Sequence, residues 1–465
     1  MEIKGRGGEE WRSFEERKIG GGDDWRALAE GTDEAIEKYR KADARWRLLD
    51  REGRPLANRK VRVEQRESAF TWGFNSWSWM NAMEHGRFFT MPERHRREAR
   101  TALFNSIILL HYWAEKTPDD APVSEEYQGE IDYELLESMV NWCRGHGLRC
   151  KGHPLFWPVP KALPEWLGKY DPETRWKFVE VRIRQITSRF RGRITQYDLS
   201  NEMLWEPLLA NTARRHWPHI EPVEAIAADH ARILGWAREE DPDAVYLLNE
   251  YGLVAGETDP LPVKDQEGRE VTRDLQVERY LRLVEEMRKR GQAPDAAGLQ
   301  TAPGEWEALS AFRRTIDRLA ETGLPVHITE FRPNTKGLDE AGLPDGERDE
   351  LLADYLETAY RLSFAHPACE AFYLWDHGIL TRGRRRTAIW ERLHRLLQEE
   401  WKTSLETETD GDGWIRFRGF AGGYRILLER AAGASGYPAE LLPNSPSPQE
   451  REFILPFLPG EERKG

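Results

Sequence analysis

Two glutamates close short runs of strand-forming residues. Glu202 ends Ile194-Thr195-Gln196-Tyr197-Asp198-Leu199-Ser200-Asn201-Glu202, and Glu330 ends Val326-His327-Ile328-Thr329-Glu330. Two carboxyl groups, one protonated and one ionised, are the equipment that cleavage of a glycosidic bond requires. Asn201 stands directly before Glu202, so one run delivers both an amide suited to a sugar hydroxyl and an acid suited to a glycosidic oxygen. Spacing leaves a rival for the acid, because Asn249-Glu250-Tyr251 repeats the Asn-Glu pair in a later run. For Glu330 the plain alternative is a buried ion pair with Arg332, two residues on and so on the same face of an extended segment.

Other run ends carry groups that could hold a sugar. Gly152-His153-Pro154-Leu155-Phe156-Trp157 places His153 to donate to a hydroxyl and Trp157 to stack on a ring. Gln300 and Trp375 end two further runs, and His111, Tyr112 and Trp113 end another; each is a weak signal alone. His111, His153, His327 and His377 are spread along the chain without the H-x-x-x-H spacing of one helix face, so a catalytic metal is not expected. No Gly-x-Ser-x-Gly elbow occurs, which disfavours a serine hydrolase.

The elements that must position these groups alternate. Strand candidates are Ala69–Phe74, Ser106–Leu110, Arg149–Gly152, Gln196–Ser200, Val245–Asn249, Ala297–Gln300, Val326–Thr329 and Ala371–Leu374. Helical patterns separate them, among them Tyr133–His146, Thr174–Phe190, Val223–Glu239, Arg273–Arg290, Leu309–Glu321 and Glu350–Ala365. Eight such units predict a (β/α)8 TIM barrel, an α/β fold whose strand C-termini present the chemistry. A doubly wound sheet is the alternative, but no Gly-rich phosphate loop follows any strand.

Residues 1–43 read as an N-terminal extension, Gly- and charge-rich and poorly ordered over 1–30 except where a Trp docks, with a short helix at Thr32–Arg40. Residues 44–68 read as a β-hairpin around Asp50-Arg51-Glu52-Gly53-Arg54-Pro55, and 69–401 as the barrel. Strands return at 402–432, and 433–465 read as a Pro-rich extended tail. The two β regions are expected to pair into one small β-module packed against the barrel.

Composition narrows the partners. With 68 basic against 81 acidic residues the net charge is -13, and no strongly basic segment offers a nucleic-acid groove. No run of 18 or more apolar residues predicts a membrane span. Three cysteines, Cys143, Cys150 and Cys369, fit neither a disulfide framework nor a zinc spacing and read as buried thiols. The N-terminus lacks the apolar core of a secretory signal, so the protein reads as intracellular unless a leader has been removed. Nineteen tryptophans exceed what a core of this size demands and lean toward carbohydrate, whose ring faces are apolar. No cofactor is expected.

Taken in order, these motifs resemble those of glycoside hydrolase family 10, the retaining endo-β-1,4-xylanases, over roughly residues 69–400. Lys151-Gly152-His153-Pro154-Leu155-Phe156-Trp157 is similar to the family's G-H-x-L-x-W, and Tyr197-Asp198-Leu199-Ser200-Asn201-Glu202 to its W-D-V-x-N-E. Leu248-Asn249-Glu250-Tyr251 resembles I-N-D-Y, Gly298-Leu299-Gln300 resembles G-L-Q, Ile328-Thr329-Glu330-Phe331 resembles I-T-E-L, and Leu374-Trp375 resembles V-W. The flanking β segments, with Arg416-Phe417-Arg418-Gly419-Phe420, resemble a bacterial subgroup that carries β-extensions. The resemblance implies Glu202 as acid/base and Glu330 as nucleophile. It implies Asn201, His153, Trp157, Asn249, Tyr251, Gln300, Trp375 and His111 around the sugar, with Glu250 a subsite residue. Two departures stand out: Ala302 replaces a His that normally bonds the nucleophile, and His111 falls where the family's E-N-x-x-K-W segment has its Asn. The implied substrate is a xylan-type polysaccharide or oligosaccharide. The rebuilt segment at His111 admits another β-glycoside, and Ala302 admits a catalytically weakened sugar-binding protein.

Overall fold

Eight short strands, each buried along nearly its whole length, close into one parallel barrel in a computed structural model of the chain. The structure describes residues 24–114, 123–211, 220–254, 261–265, 267–301, 308–333, 344–375, 378–383, 385–428, 436–442 and 448–455. In chain order the barrel strands are Thr71–Asn75, Ser106–Leu110, Arg149–His153, Gln196–Asn201, Val245–Glu250, Ala296–Gln300, Val326–Phe331 and Cys369–Leu374, called strands one to eight below. All eight coincide with expected runs to within two residues. Burial explains their composition: Ser-Ile-Ile-Leu-Leu in strand two is covered on both faces and therefore does not alternate.

Helices follow the strands as the periodicity predicts, for example Glu134–Gly145, Pro172–Arg189, Val223–Glu240, Arg273–Lys289 and Leu309–Ala320. Asp171 caps the second of these by accepting from Thr174 N, and Thr272 caps the fourth by accepting from Leu275 N. Two helices between strands one and two, Trp77–Glu84 and Met91–Thr101, were not anticipated. The barrel interior is filled by aromatic side chains opposite glycines. A Cβ on Gly73 would meet the Tyr373 ring, and one on Gly152 would lie 2.6 Å from the Tyr197 ring, so only glycine fits.

Just before the functional residues, three ladders slip. Register shifts occur between Asp198 and Ser200 in strand four, Leu299 and Gln300 in strand six, and Ile328 and Phe331 in strand seven. An extra residue of this kind bends a strand and re-aims the side chains that follow it.

The chain divides into two units. One holds Trp72–Ala359 and Ala368–Trp390; the other holds Ala29–Thr71, Tyr360–Pro367 and the chain from Glu391. The second unit is a β-sandwich. Lys41–Leu49 lies between Trp414–Phe420, antiparallel, and Gln449–Ile454, parallel, while Lys60–Ser68 and Gly422–Leu428 are the inner strands of a four-stranded sheet edged by Ser404–Glu408 and Gly436–Leu441. Trp46, Leu48, Val61, Val63, Ile415, Tyr424 and Ile426 form its core, with the Trp46 ring edge-on to Phe417, Tyr424 and Phe453.

Two corrections follow for the chain's ends. The segment read as an extended tail supplies two paired strands, because Gln449–Ile454 alternates half-buried and exposed residues along an otherwise open edge. Tyr360–Pro367, read as barrel, belongs to the sandwich unit: Phe364 packs on Phe70, Trp401 and Phe420, and its carbonyl accepts from Arg40 Nε. Residues 1–23 lie outside the described residues; Trp25, just beyond them, is buried against Tyr355. Cys143, Cys150 and Cys369 are buried and in no disulfide among the described residues. Among the described residues no helix is long and apolar enough to cross a membrane.

Candidate active site

Glu202 follows strand four directly and adopts φ 61°, a left-handed conformation rare for a residue with a side chain. Its own N–H donates to Asn249 O at 2.8 Å, and its carbonyl accepts from Trp205 N and Glu206 N at 3.1 and 3.2 Å. Bonded on both sides, the backbone holds this strained geometry and turns the carboxyl out of the strand direction. The Trp157 indole N–H donates to Glu202 Oε2 at 3.1 Å.

Glu330 ends strand seven, and its side chain is 14% exposed. Asn249 Nδ2 donates to its Oε1 at 2.8 Å, and His153 Nε2 stands 4.0 Å from the same oxygen. No ion pair joins Glu330 to Arg332. Behind His153 lies a charged chain: its Nδ1 is 2.7 Å from Asp198 Oδ2, and Asp198 Oδ1 is 2.9 Å from Lys151 Nζ, an ion pair rather than an aligned hydrogen bond. Burial alone would raise the Asp198 carboxyl, but the Lys151 charge and the His153 bond outweigh it and hold it below its ordinary value. An ionised Asp198 fixes the His153 tautomer with hydrogen on Nδ1.

The two glutamates differ electrostatically. Burial, then the charges of Glu330 and Glu206, push the Glu202 carboxyl up to about 7. Burial also raises Glu330, but His153, the Asn249 bond and Lys151 all oppose the rise. One carboxyl therefore keeps its proton near neutrality, while the other, raised by burial and the Asp198 charge, has His153, Asn249 and Lys151 acting for its anion.

The residues singled out in the sequence fall into two sets. Trp157, Tyr251 and Trp375 are half-buried, as are Glu202 and Glu330. The Trp375 ring is 6.1 Å from His153, and Tyr251 lies 5.4 Å from Trp205, whose indole N–H donates to Tyr251 O. Asn201, Asn249, Gln300, His153 and His111 are all buried.

Within the buried set, Asn201 Oδ1 accepts from both Asn249 Nδ2 at 2.8 Å and Gln300 Nε2 at 2.9 Å. With the oxygen so engaged, the Asn201 NH2 is the end left to donate to a ligand. Asn249 and Gln300, expected around the sugar, have their amides engaged with other side chains. Asn249 has no exposed surface, spends both amide hydrogens on Asn201 and Glu330, and accepts from the Thr329 hydroxyl. Gln300 is 1% exposed, its amide on Asn201. Both hold other groups in place.

Two further expectations change. Glu250 is wholly buried and accepts from Leu204 N and Tyr251 N at 2.8 and 2.9 Å, so it ties down the turn after Glu202 rather than forming a subsite. Burial, with two backbone bonds opposing it, raises its carboxyl far above the ordinary range. His111 is 2% exposed and packs against Gly152 and Tyr197, with neither ring nitrogen bonded to any described residue. Burial, then the Arg182 charge, keeps it neutral. Its side chain fills the space against Gly152 and Tyr197. Ala302 lies outside the described residues; the donor that Glu330 does have is Asn249.

Sequence reasoning passed over Lys151, Asp198 and Thr329. The signal was present for the first, since residues 151 and 153 share one face of strand three and both point at Asp198. Among the described residues no group of three or more His, Cys, Asp or Glu is arranged to hold a metal ion.

Known proteins resemble this chain in sequence and in fold. Residues 120–378 match the family model of Glycosyl hydrolase family 10. The anti-sigma-I factor RsgI6 of Acetivibrio thermocellus is 26% identical over 407 residues, covering 85% of this chain and 46% of its own length. Endo-1,4-beta-xylanase 2 of Arabidopsis thaliana is 26% identical over 320 residues, 65% of this chain and 26% of its own. The chain thus spans less than half the length of either relative. Among solved structures, xylanase 10B of Thermotoga petrophila RKU-1 in complex with xylobiose aligns with a TM-score of 0.50 at 18% identity, over 71% of this chain and 95% of that one. A GH10 endoxylanase from a sugarcane soil metagenome gives 0.51 at 16%, over 70% and 97%. At these identities the likeness is one of fold.

Proposed function

The chain belongs to glycosyl hydrolase family 10, and from that premise we propose that it is a retaining glycoside hydrolase acting on β-1,4-linked polysaccharide of the xylan type. Glu330 attacks the anomeric carbon, forming a glycosyl–enzyme bond as the glycosidic C–O bond breaks. Glu202 gives its proton to the departing oxygen, then takes one from the water that releases the sugar with its configuration retained. Asn201 donates to the 2-hydroxyl of the reacting sugar. His153 approaches the same ring, and Trp375 and Trp157 border it.

The observation that supports this reading is the unequal pair itself: Glu202 raised to about 7 beside a Glu330 that accepts from Asn249 and faces His153. The relative named as a xylanase supports the choice of xylan. A second reading, sugar binding without turnover, stands beside it because a relative aligned over 85% of this chain is named an anti-sigma factor and not a hydrolase.

Product analysis on a panel of β-linked glycans, with wild type and Glu330→Ala, separates the two. The expected result is release of β-anomeric oligosaccharides from xylan by wild type and none by Glu330→Ala. Turnover of another glycan in preference to xylan would overturn the substrate. Binding of sugar with no hydrolysis by either protein would overturn the enzyme.

A further inference from the structure

Strand one brings an amide to the mouth of the barrel, a residue type the sequence did not single out there. Gly73 on that strand faces the interior. A Cβ on it would meet the Tyr373 ring, whose hydroxyl lies 3.0 Å from Ser106 Oγ on strand two and 3.1 Å from Gln196 Oε1 on strand four. Side chains two apart on a strand share a face, and the ladder from Gly73 to Asn75 runs without a slip. Asn75 therefore faces the interior too, one step nearer the mouth. It is 4% exposed, and its Nδ2 has no hydrogen-bond partner among the described residues. Buried amides normally find partners, so one without calls for a reason.

The interior of such a barrel is filled in layers of four side chains, each layer drawn from alternate strands. His153 of strand three, Asn249 of strand five and Glu330 of strand seven already meet. Asn249 Nδ2 donates to Glu330 Oε1, and His153 Nε2 stands 4.0 Å from that oxygen. The remaining odd strand is the first, and its inward residue at the C-terminal end is Asn75.

Strands one and two lie between strands eight and three. The Trp375 ring, just past strand eight, is 6.1 Å from the His153 ring at the end of strand three, so the two rings reach toward each other across this quarter of the mouth. Strand two ends there on the apolar Leu110, and His111 beyond it is enclosed by Gly152 and Tyr197. A polar ligand under those two rings thus meets the Asn75 amide from strand one.

Resting on the reading of Glu202 and Glu330 as the reacting pair, we propose that Asn75 is a substrate-binding residue whose amide bonds the 3-hydroxyl of the sugar that Glu330 attacks. Asn201 takes the 2-hydroxyl from strand four. The 3-hydroxyl is the next one along the ring and reaches from there toward strand one, across the mouth. An amide both donates and accepts, so a hydroxyl satisfies either end of it.

Two series test this. Calorimetry with xylotetraose compares Glu330→Ala, in which cleavage is removed, with the same protein carrying Asn75→Ala. Losing one hydrogen bond to a neutral hydroxyl is expected to weaken binding roughly three- to tenfold. Kinetics compare aryl β-xylobiosides with and without the 3-hydroxyl on the reacting sugar. Wild type is expected to prefer the hydroxylated substrate in kcat/KM, and Asn75→Ala to lose most of that preference. A merely structural amide would lower both rates together and leave their ratio as it was. Equal affinity in the two calorimetry proteins, or an unchanged ratio in Asn75→Ala, would overturn the proposal. If Asn75→Ala does not fold, wild type alone decides, because equal turnover of the two substrates sinks the idea without any variant. Failure of Glu330→Ala to bind xylotetraose would strike the proposed function and this inference with it; binding that Asn75→Ala leaves unchanged strikes this inference alone.

Discussion

Asn249→Ala removes the amide that donates to Glu330 Oε1 at 2.8 Å while leaving His153, 4.0 Å from the same oxygen, in place. A hydrogen bond to an ionised group contributes about 1.5–3 kcal/mol, which at about 1.4 kcal/mol per pH unit is a shift of roughly one to two units. Burial already raises Glu330, and the lost donor favoured its anion, so the shift is upward. Glu330 must be ionised to attack, and activity should therefore appear later on the acidic side. The bell between Glu330 and Glu202, whose upper edge stands near 7, should narrow from below and its peak should fall. Thr329→Val supplies a graded control. The Thr329 hydroxyl donates to Asn249 Oδ1 and so keeps the NH2 end facing Glu330; its loss should move the same limb in the same direction by less. The assay is the pH dependence of kcat/KM, with urea midpoints to confirm folding. A cavity lowers rate without moving a limb. A uniform fall in rate with the acidic limb unmoved, or a limb moved downward, would refute the argument.

Two further outcomes follow from the same site. Asp198→Asn strips the buried Lys151 ammonium of its partner and should cost about 3–5 kcal/mol of stability in urea unfolding, with His153 losing the bond that fixes its tautomer. The second concerns heat stability against pH. Folding raises the carboxyls of Glu202 and Glu206 from 4.5 to about 7, so the folded state keeps protons that the unfolded chain has released in that window. Their contribution is whole below about pH 4.5 and is lost as pH rises through about 7. Glu206→Gln should therefore raise Tm at pH 8 while changing it little at pH 5, read by calorimetry; an equal change at both would contradict the raised carboxyl.

The sequence by itself determined the barrel. Eight buried apolar runs alternate with helix-period segments, and a chain with that order of short strands and amphipathic helices can bury both sets only by closing or by double winding. It also determined which strand ends carry carboxyls, because a residue at a strand's C-terminus must emerge at one face. Tertiary structure decided what those residues do. Strand alternation stops where the register slips at Asp198–Ser200 and Ile328–Phe331, so the direction of Glu202 and Glu330 follows from bulges that no period reveals. Asn249 and Asn201 each stand before a Glu and are alike in sequence. Only the Thr329 hydroxyl and the Gln300 amide, brought in from other strands, turn the Asn249 NH2 toward Glu330 and engage the Asn201 oxygen. Glu250, equal to Glu202 in its motif, became structural because two backbone N–H groups reach it. Hydrogen-bond partners distant in sequence assigned the roles, and those exist only once the barrel has closed.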